Sequence, residues 1–238
     1  MDCCSVNGLE KMFGRSVARR DLKQYLGKGL TRRARLLAEF LEGQGVKGLT
    51  ILEIGCGIGS LHLELLKLGA ASAMAYEVSS AYLEAARELS VRLGLGDRVE
   101  YRHGDFVEHA AETPEADVVL LDRVVCCYPD MGALVALSAQ RARRLYVLTY
   151  PRETWWMRAA HWGLNAVTAV LRRRYRFYLH PSGEMEEAAA LAGLAPLWRR
   201  RSGMWELVAF QRQPLLPPTQ GEPPGSLTAS GGRPSSTR

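Results

Sequence analysis

The chain has 238 residues, of which 47% are apolar and 24% charged. That composition excludes fibrous, collagenous and wholly disordered proteins and leaves enough apolar residues to bury a sizeable core in one or two domains. The formal charge of +6 is unevenly placed, residues 1–47 carrying +5, residues 48–151 carrying −5 and residues 152–180 carrying +5, so it does not describe a uniformly basic surface.

In chain order, the basic N-terminal arm contains an amphipathic stretch, Leu30 to Phe40. There Leu30, Ala34, Leu37 and Leu41 recur at helical spacing, and Arg32, Arg33 and Arg35 are expected on the outer face. Apolar runs then alternate with helical periodicity: Leu49 to Ile54 followed by Leu61 to Leu68, and Ala73 to Val78 followed by Ala81 to Leu93. A short strand, Val99 to His103, follows. Asp117 to Leu121 is a continuous apolar run of the kind buried on both faces of a sheet. A helix from Met131 to Ala142 and a strand from Leu145 to Thr149 complete the alternation, which predicts a parallel sheet covered by helices on both sides.

Beyond Thr149 the alternation stops. Residues 152–180 form an insertion holding Trp155, Trp156, Trp162 and Tyr178 together with Arg172, Arg173, Arg174 and Arg176. A helix over Glu184 to Ala192 and two strands, Ala195 to Arg201 and Trp205 to Phe210, come next, the strands joined by Ser202-Gly203, a hairpin signal. From 213 the sequence is rich in Pro, Gly, Ser and Thr and is expected to be a disordered tail. The organisation expected is an N-terminal helical arm over 1–47, an α/β domain over 48–212 that carries the 152–180 insertion, and the tail over 213–238.

Five cysteines, four of them in the vicinal pairs Cys3–Cys4 and Cys126–Cys127, do not make a disulfide framework and point to a reducing, cytoplasmic compartment. No secretory signal and no run of 18 apolar residues is seen.

The sharpest motif is Ile51-Leu52-Glu53-Ile54-Gly55-Cys56-Gly57-Ile58-Gly59-Ser60, an apolar strand running into a glycine-rich turn and then a helix, where backbone approaches a ligand closely. Its Gly-x-Gly-x-Gly spacing differs from the Gly-x-Gly-x-x-Gly of a dinucleotide site. Three more features sit at strand ends. Glu77, with Val78 beside it, ends the second strand, where a carboxylate accepts hydrogen bonds from ribose hydroxyls. Gly104-Asp105-Phe106 ends the third, with a carboxylate and a ring suited to an adenine amino group and face. Asp122-Arg123 ends the fourth, at the carboxyl edge where open α/β sheets place ligands.

On these four motifs, in this order, the sequence resembles the class I S-adenosylmethionine-dependent methyltransferases, the resemblance covering roughly residues 30 to 212. It implies a three-layer, Rossmann-like α/β fold with a seven-stranded, mostly parallel sheet closed by a C-terminal antiparallel hairpin. It also implies S-adenosylmethionine as cofactor. Gly55, Gly57 and Gly59 would line its methionine and ribose portion, Glu53 would lie near its amino group, Glu77 would hold the ribose, and Asp105 and Phe106 would flank the adenine. Cys56 is a small packing residue in the turn, and Asp122 and Arg123 border the site.

A sulfonium donor needs mainly in-line positioning of the acceptor and, for a protonated acceptor, a base. No motif marks that base. Residues placed near the carboxyl edge are Tyr25, Arg123, Tyr128, Arg152, His161 and His180, with Tyr128, His161 and Tyr25 as catalytic candidates. The aromatic insertion suggests a lid over a small, partly hydrophobic acceptor, and the flanking basic segments suggest an acidic or amphipathic one. The leading expectation is methyl transfer to an O or N atom of such a molecule. The alternatives are an RNA or protein methyltransferase docking through the basic flanks, and a noncatalytic module that keeps the cofactor fold. Thiolates suit soft metals and metalloids, and arsenite methyltransferases share this fold. Cysteines directly after a buried strand, however, serve commonly as small apolar residues, and no metal site is expected.

Overall fold

A computed structural model describes residues 13–155, 162–163, 178 and 180–213. Two helices open it, α1 (Arg15–Lys28) and α2 (Arg32–Gly43). Thr31 caps α2 by accepting the Ala34 N–H at 3.4 Å. Ala34, Leu37, Ala38 and Leu41 form the buried stripe of α2, each buried leucine contributing roughly 1.5–3 kcal/mol.

The alternating region folds as β1 (Thr50–Ile54), α3 (Ser60–Lys67), β2 (Ser72–Glu77), α4 (Ser80–Arg92), β3 (Val99–His103), the short α5 (Phe106–His109), β4 (Ala116–Asp122), α6 (Met131–Gln140) and β5 (Ala142–Pro151). Helix α7 (Ser182–Leu191) then leads into the hairpin β6 (Leu194–Ser202) and β7 (Trp205–Arg212). The sheet has seven strands in the order β3-β2-β1-β4-β5-β7-β6. The first five strands are parallel, and β7 runs antiparallel to both β5 and β6. This is the Rossmann-like architecture that the resemblance implies.

Alternation along the central strands supplies two cores. Ile51, Val118, Leu120 and Val147 face α1 to α4 on one side, and Leu52, Val119, Leu121 and Leu148 face α6 and α7 on the other. That is why these strands read as continuous apolar runs. The single polar anchor at the start of β1 is Thr50, whose N–H and hydroxyl both donate to Asp117 at 2.9 Å. Strand β5 starts at Ala142, earlier than the periodicity suggests. Its pairing with Ala116 passes through an irregularity before Val118, so the two arginines Arg143 and Arg144 are accommodated as exposed strand residues.

Strand order reverses between β1 and β4, and α/β sheets open a crevice at their carboxyl edge at such a point. Most of the aromatic insertion, including Trp156, His161 and Arg172 to Arg176, lies outside the described residues, as does the tail beyond 213.

Candidate active site

The floor of the crevice is the turn after β1. Gly55, Gly57 and Gly59 all have positive φ, at 65°, 57° and 75°. At Gly55 a second constraint applies, because a Cβ there would stand 2.6 Å from a methyl of Val124. The turn is pinned by its own backbone: the N–H groups of Gly55 and Cys56 donate to the Tyr76 carbonyl at 2.8 and 3.1 Å. Glu77, at the end of β2, accepts the Gly57 N–H on one oxygen at 2.8 Å and the Ser79 N–H on the other at 2.9 Å. Burial pushes the Glu77 carboxyl above its ordinary value, and these N–H donors only partly offset it. A carboxylate oxygen accepts more than one hydrogen bond, so Glu77 both locks the turn and retains acceptor capacity toward the cavity it lines.

Glu53 is 2% exposed and His62 is fully buried. The imidazole Nδ1 lies 2.6 Å from Glu53 Oε2, the His62 N–H donates to the same oxygen at 3.3 Å, and Nε2 lies 3.2 Å from the Tyr101 hydroxyl. A buried carboxylate needs such partners. Gly59 belongs to this network and does not border the cavities: a Cβ there would meet the His62 ring at 2.6 Å. Its glycine makes room for the histidine that holds Glu53.

At the end of β4 the structure corrects the expected placement of an arginine. Arg33 is not on the outer face of α2; it is 8% exposed and forms a bidentate pair with Asp122, both bonds 2.7 Å, its guanidinium lying 5.6 Å from the centre of the Trp205 ring. The Thr149 hydroxyl donates to Asp122 at 2.7 Å and accepts the Arg123 N–H at 2.8 Å. Burial raises the Asp122 carboxyl, but the Arg33 hydrogen bonds and the charges of Arg33 and Arg123 outweigh it, so the carboxyl is held below its ordinary value. Asp122 therefore braces the edge of the site with a committed carboxylate. Arg123 next to it has φ of 64°, the one non-glycine residue among those described in the left-handed region. Strain of this kind costs of order 1–3 kcal/mol and gathers at functional sites.

Above this floor lies a cavity of about 310 Å³, running from Glu77 and Asp105 to Cys126, Cys127, Tyr128 and Trp205. A smaller one, about 140 Å³, lies between the glycine turn and helices α1 and α2, and the two share walls at Gly57, Tyr82 and Arg123. Gly55, Gly57, Glu77, Val78, Asp105, Phe106, Asp122 and Arg123 border the larger, and Glu53 and Cys56 the smaller. Asp105 caps α5 through the Val107 N–H at 2.9 Å and accepts the Tyr128 hydroxyl at 3.0 Å. Phe106 is 2% exposed, with its ring edge-on to Tyr76 at 5.6 Å, so it is anchored in the core and is not an exposed stacking face. The Cys56 thiol is pushed well up by burial and by the nearby Glu77 and Glu53 carboxylates, which fits a packing role.

Of the catalytic candidates, Tyr128 lines the larger cavity. Tyr25 borders the smaller one, and its hydroxyl donates to Glu64 and accepts from Lys67 at 3.0 Å. Burial and then the Glu64 hydrogen bond raise the Tyr25 hydroxyl, so it is poorly set to act as a base. His161 lies outside the described residues. His180 sits 2.9 Å from the Tyr128 carbonyl, and the Arg152 N–H pairs with the Met204 carbonyl. The residues that sequence reasoning missed are Arg33, His62, Thr149 and Trp205. None carries a local motif; each is fixed by what the sheet brings to it.

A glycine turn whose backbone is locked by a strand-end carboxylate, beside a cavity at the switch point of a parallel sheet, defines a nucleoside-cofactor domain of the Rossmann-like kind. The sequence profile of the methyltransferase-domain family matches residues 51–145. Over 122 residues the chain is 30% identical to the ribosomal protein L11 methyltransferase of Salmonella newport, a stretch covering 47% of this chain and 41% of that protein. It thus spans about two fifths of the length of the curated relatives it matches. Among solved structures, the magnesium protoporphyrin IX methyltransferase of Synechocystis with bound SAH superposes with a TM-score of 0.68 at 18% identity, over 86% of this chain and 98% of that one. An O-methyltransferase family protein of Burkholderia thailandensis gives 0.62 at 17% identity, over 82% of this chain and 59% of that one. At these identities the structures share the fold. Residues 51–145 thus match a methyltransferase domain, and the fold is shared with solved methyltransferases, two of which hold SAH or SAM.

Proposed function

We propose that this chain transfers the methyl group of S-adenosylmethionine to an O or N atom of a small, partly hydrophobic acceptor. The observation that carries the reading is the single cavity joining the carboxylates of Glu77 and Asp105 to a wall of Val124, Cys126, Cys127, Tyr128 and Trp205. One end offers acceptors for ribose hydroxyls and an adenine amino group; the other is apolar and aromatic. When bound, S-adenosylmethionine supplies an electrophilic sulfonium methyl. The chain then has to present the acceptor atom in line with the bond that breaks and exclude water. Glu77 and the Gly57 backbone fix the nucleoside end, and the strained Arg123 marks the point where the two cavities meet. A protonated acceptor needs a base; the candidate Tyr128 lies in the wall, its hydroxyl donating to Asp105 at 3.0 Å. Among the described residues no helix is long and apolar enough to cross a membrane.

The match to ribosomal protein L11 methyltransferases favours a second reading, a protein acceptor docked through the basic arm. Against it, Arg15 pairs with Glu84, Arg19 with Glu88 and Arg33 with Asp122, so part of the arm's positive charge is answered within the chain. Calorimetry with S-adenosylhomocysteine tests the cofactor site: binding is expected for the wild type and lost in Glu77→Ala and Gly57→Arg. Unchanged affinity in both variants sinks the reading. A labelled methyl donor, incubated with small-molecule extract and separately with ribosomal protein, decides between the acceptors.

A further inference from the structure

Resting on the proposed adenine end of the cavity, we infer that Tyr128 is a positioning residue that sets the choice of nucleobase. Its hydroxyl holds the Asp105 carboxylate as a fixed acceptor, so that a purine with a 6-amino group is taken over one with a 6-oxo group. Tyr128 follows the short 3-10 turn Val125–Cys127 after β4, and Asp105 follows β3. In the sheet those two strands stand three places apart, in the order β3-β2-β1-β4. The hydrogen bond from the Tyr128 hydroxyl to Asp105 Oδ2, 3.0 Å long, therefore bridges the crevice across the ends of β2 and β1.

The bond gains its meaning from what else holds the carboxylate. Asp105 Oδ1 accepts the Val107 N–H at 2.9 Å. The χ2 torsion of an aspartate is broad and roughly two-fold, so a carboxylate held at one oxygen still turns about it. With Tyr128 on the second oxygen, both ends are tied from elements distant in the chain, and the plane is set. A carboxylate has about four lone-pair sites, so acceptor capacity remains on a residue that lines the larger cavity. The donor is itself anchored. The Tyr128 carbonyl lies 2.9 Å from His180 Nε2, its N–H donates to the Val125 carbonyl at 3.3 Å, and its side chain packs against the buried cluster that includes Phe106 and Leu134. An ionised carboxylate only accepts, so the proton in the contact with Asp105 is that of Tyr128. A 6-amino group finds a fixed acceptor there. A 6-oxo group meets like lone pairs on a carboxylate that is held from turning aside, and a polar site left unpaired in this way rejects the analogue.

Calorimetry on the full chain, with S-adenosylhomocysteine and its inosine analogue, compares the wild type, Tyr128→Phe, Asp105→Asn and the double variant, each with a melting curve that shows it folded. Tyr128→Phe keeps the packed ring and removes only the donor. The preference for the adenine ligand should fall by about three- to tenfold, with the inosine analogue bound as before or more tightly. Because Tyr128 acts through Asp105, the double variant should lose no more preference than Asp105→Asn alone. Three results overturn the proposal while Asp105→Asn still loses the preference: a preference unchanged in Tyr128→Phe, equal weakening of both ligands, or a further loss in the double variant. If the wild type shows no preference, or Asp105→Asn keeps it, the adenine assignment itself fails and the proposal with it. Neither ligand has a methyl group to transfer, so the result is read without an acceptor.

Discussion

The Arg33–Asp122 pair gives the most exacting test of how the site is held. The two side chains are 10% and 12% exposed, and the pair makes two charge-assisted bonds of 2.7 Å. Arg33→Ala removes both bonds and the contact with Trp205, leaving the buried carboxylate with the Thr149 hydroxyl. Removing one partner of a buried pair costs about 3–5 kcal/mol, because the other charge is stranded. The slight exposure and the surviving Thr149 bond favour the lower end, about 3 kcal/mol, which for a chain of this size lowers the melting temperature by about 6–12 °C. Replacing both partners, as Arg33→Met with Asp122→Asn, removes the stranded charge, and the loss should shrink to less than the sum of the two single losses by about 2 kcal/mol. Urea unfolding followed by tryptophan fluorescence measures the wild type, Arg33→Ala, the singles Arg33→Met and Asp122→Asn, and the double variant. A loss below about 1 kcal/mol for Arg33→Ala, or additive losses in the double variant, would refute the idea that α2 is clamped to β4 through this pair. The pH dependence has a definite sign. The folded Asp122 carboxyl lies below its unfolded value, so its contribution is fully present above the unfolded pKa of about 3.9 and is lost as pH falls below that toward the folded value.

Two further expectations separate roles within the crevice. Gly55→Ala should destabilise the chain more than Gly57→Ala: both positions have positive φ, costing about 1–2 kcal/mol for a residue with a Cβ, but only at Gly55 does the new atom fall 2.6 Å from Val124, the nearest neighbour at Gly57 being the Tyr82 ring at 3.6 Å. Equal melting temperatures for the two variants would contradict this. If Asp105 receives the adenine amino group, Asp105→Asn should weaken S-adenosylhomocysteine by about tenfold while leaving the inosine analogue nearly unchanged, since what discriminates the two is a single hydrogen bond to a charged acceptor. Calorimetry with both ligands reads the difference, and a parallel loss for both would remove Asp105 from that role.

The layout of the sheet was legible because each strand carries its own signal. The apolar runs of β1 and β4 are buried on both faces, and the Ser202-Gly203 turn produces the β6–β7 hairpin. The glycine turn was legible for the same local reason, since three positive φ angles within five residues need glycine. What escaped the sequence is what the topology joins across distance. Glu53 announces a buried carboxylate that needs donors, but that His62 supplies them depends on the first turn of α3 folding back over β1. Arg33 follows Arg32 and precedes Arg35 in a basic run, so its spacing resembles a solvated helix face; its burial is decided by Asp122, 89 residues away. Periodicity records which residues are apolar, and an arginine that is buried because it is paired leaves no mark in it.

That pairing alters the meaning of the charge pattern. The acidic stretch 48–151 and the basic stretch 1–47 are partners in the fold: α1 reaches α4 through Arg15–Glu84 and Arg19–Glu88, and α2 reaches β4 through Arg33–Asp122. The exposed pairs contribute little each, about 0–1 kcal/mol, but they fix which face of the arm lies against the domain. Helices α1 and α2 thus close one side of the crevice and form the wall of the smaller cavity. Of the described basic residues of the arm, Arg33 is the one turned inward, while the others stay at the surface. The cation left facing the cavity is Arg123, for which no ion pair is formed among the described side chains and whose backbone is held in a left-handed conformation by Thr149.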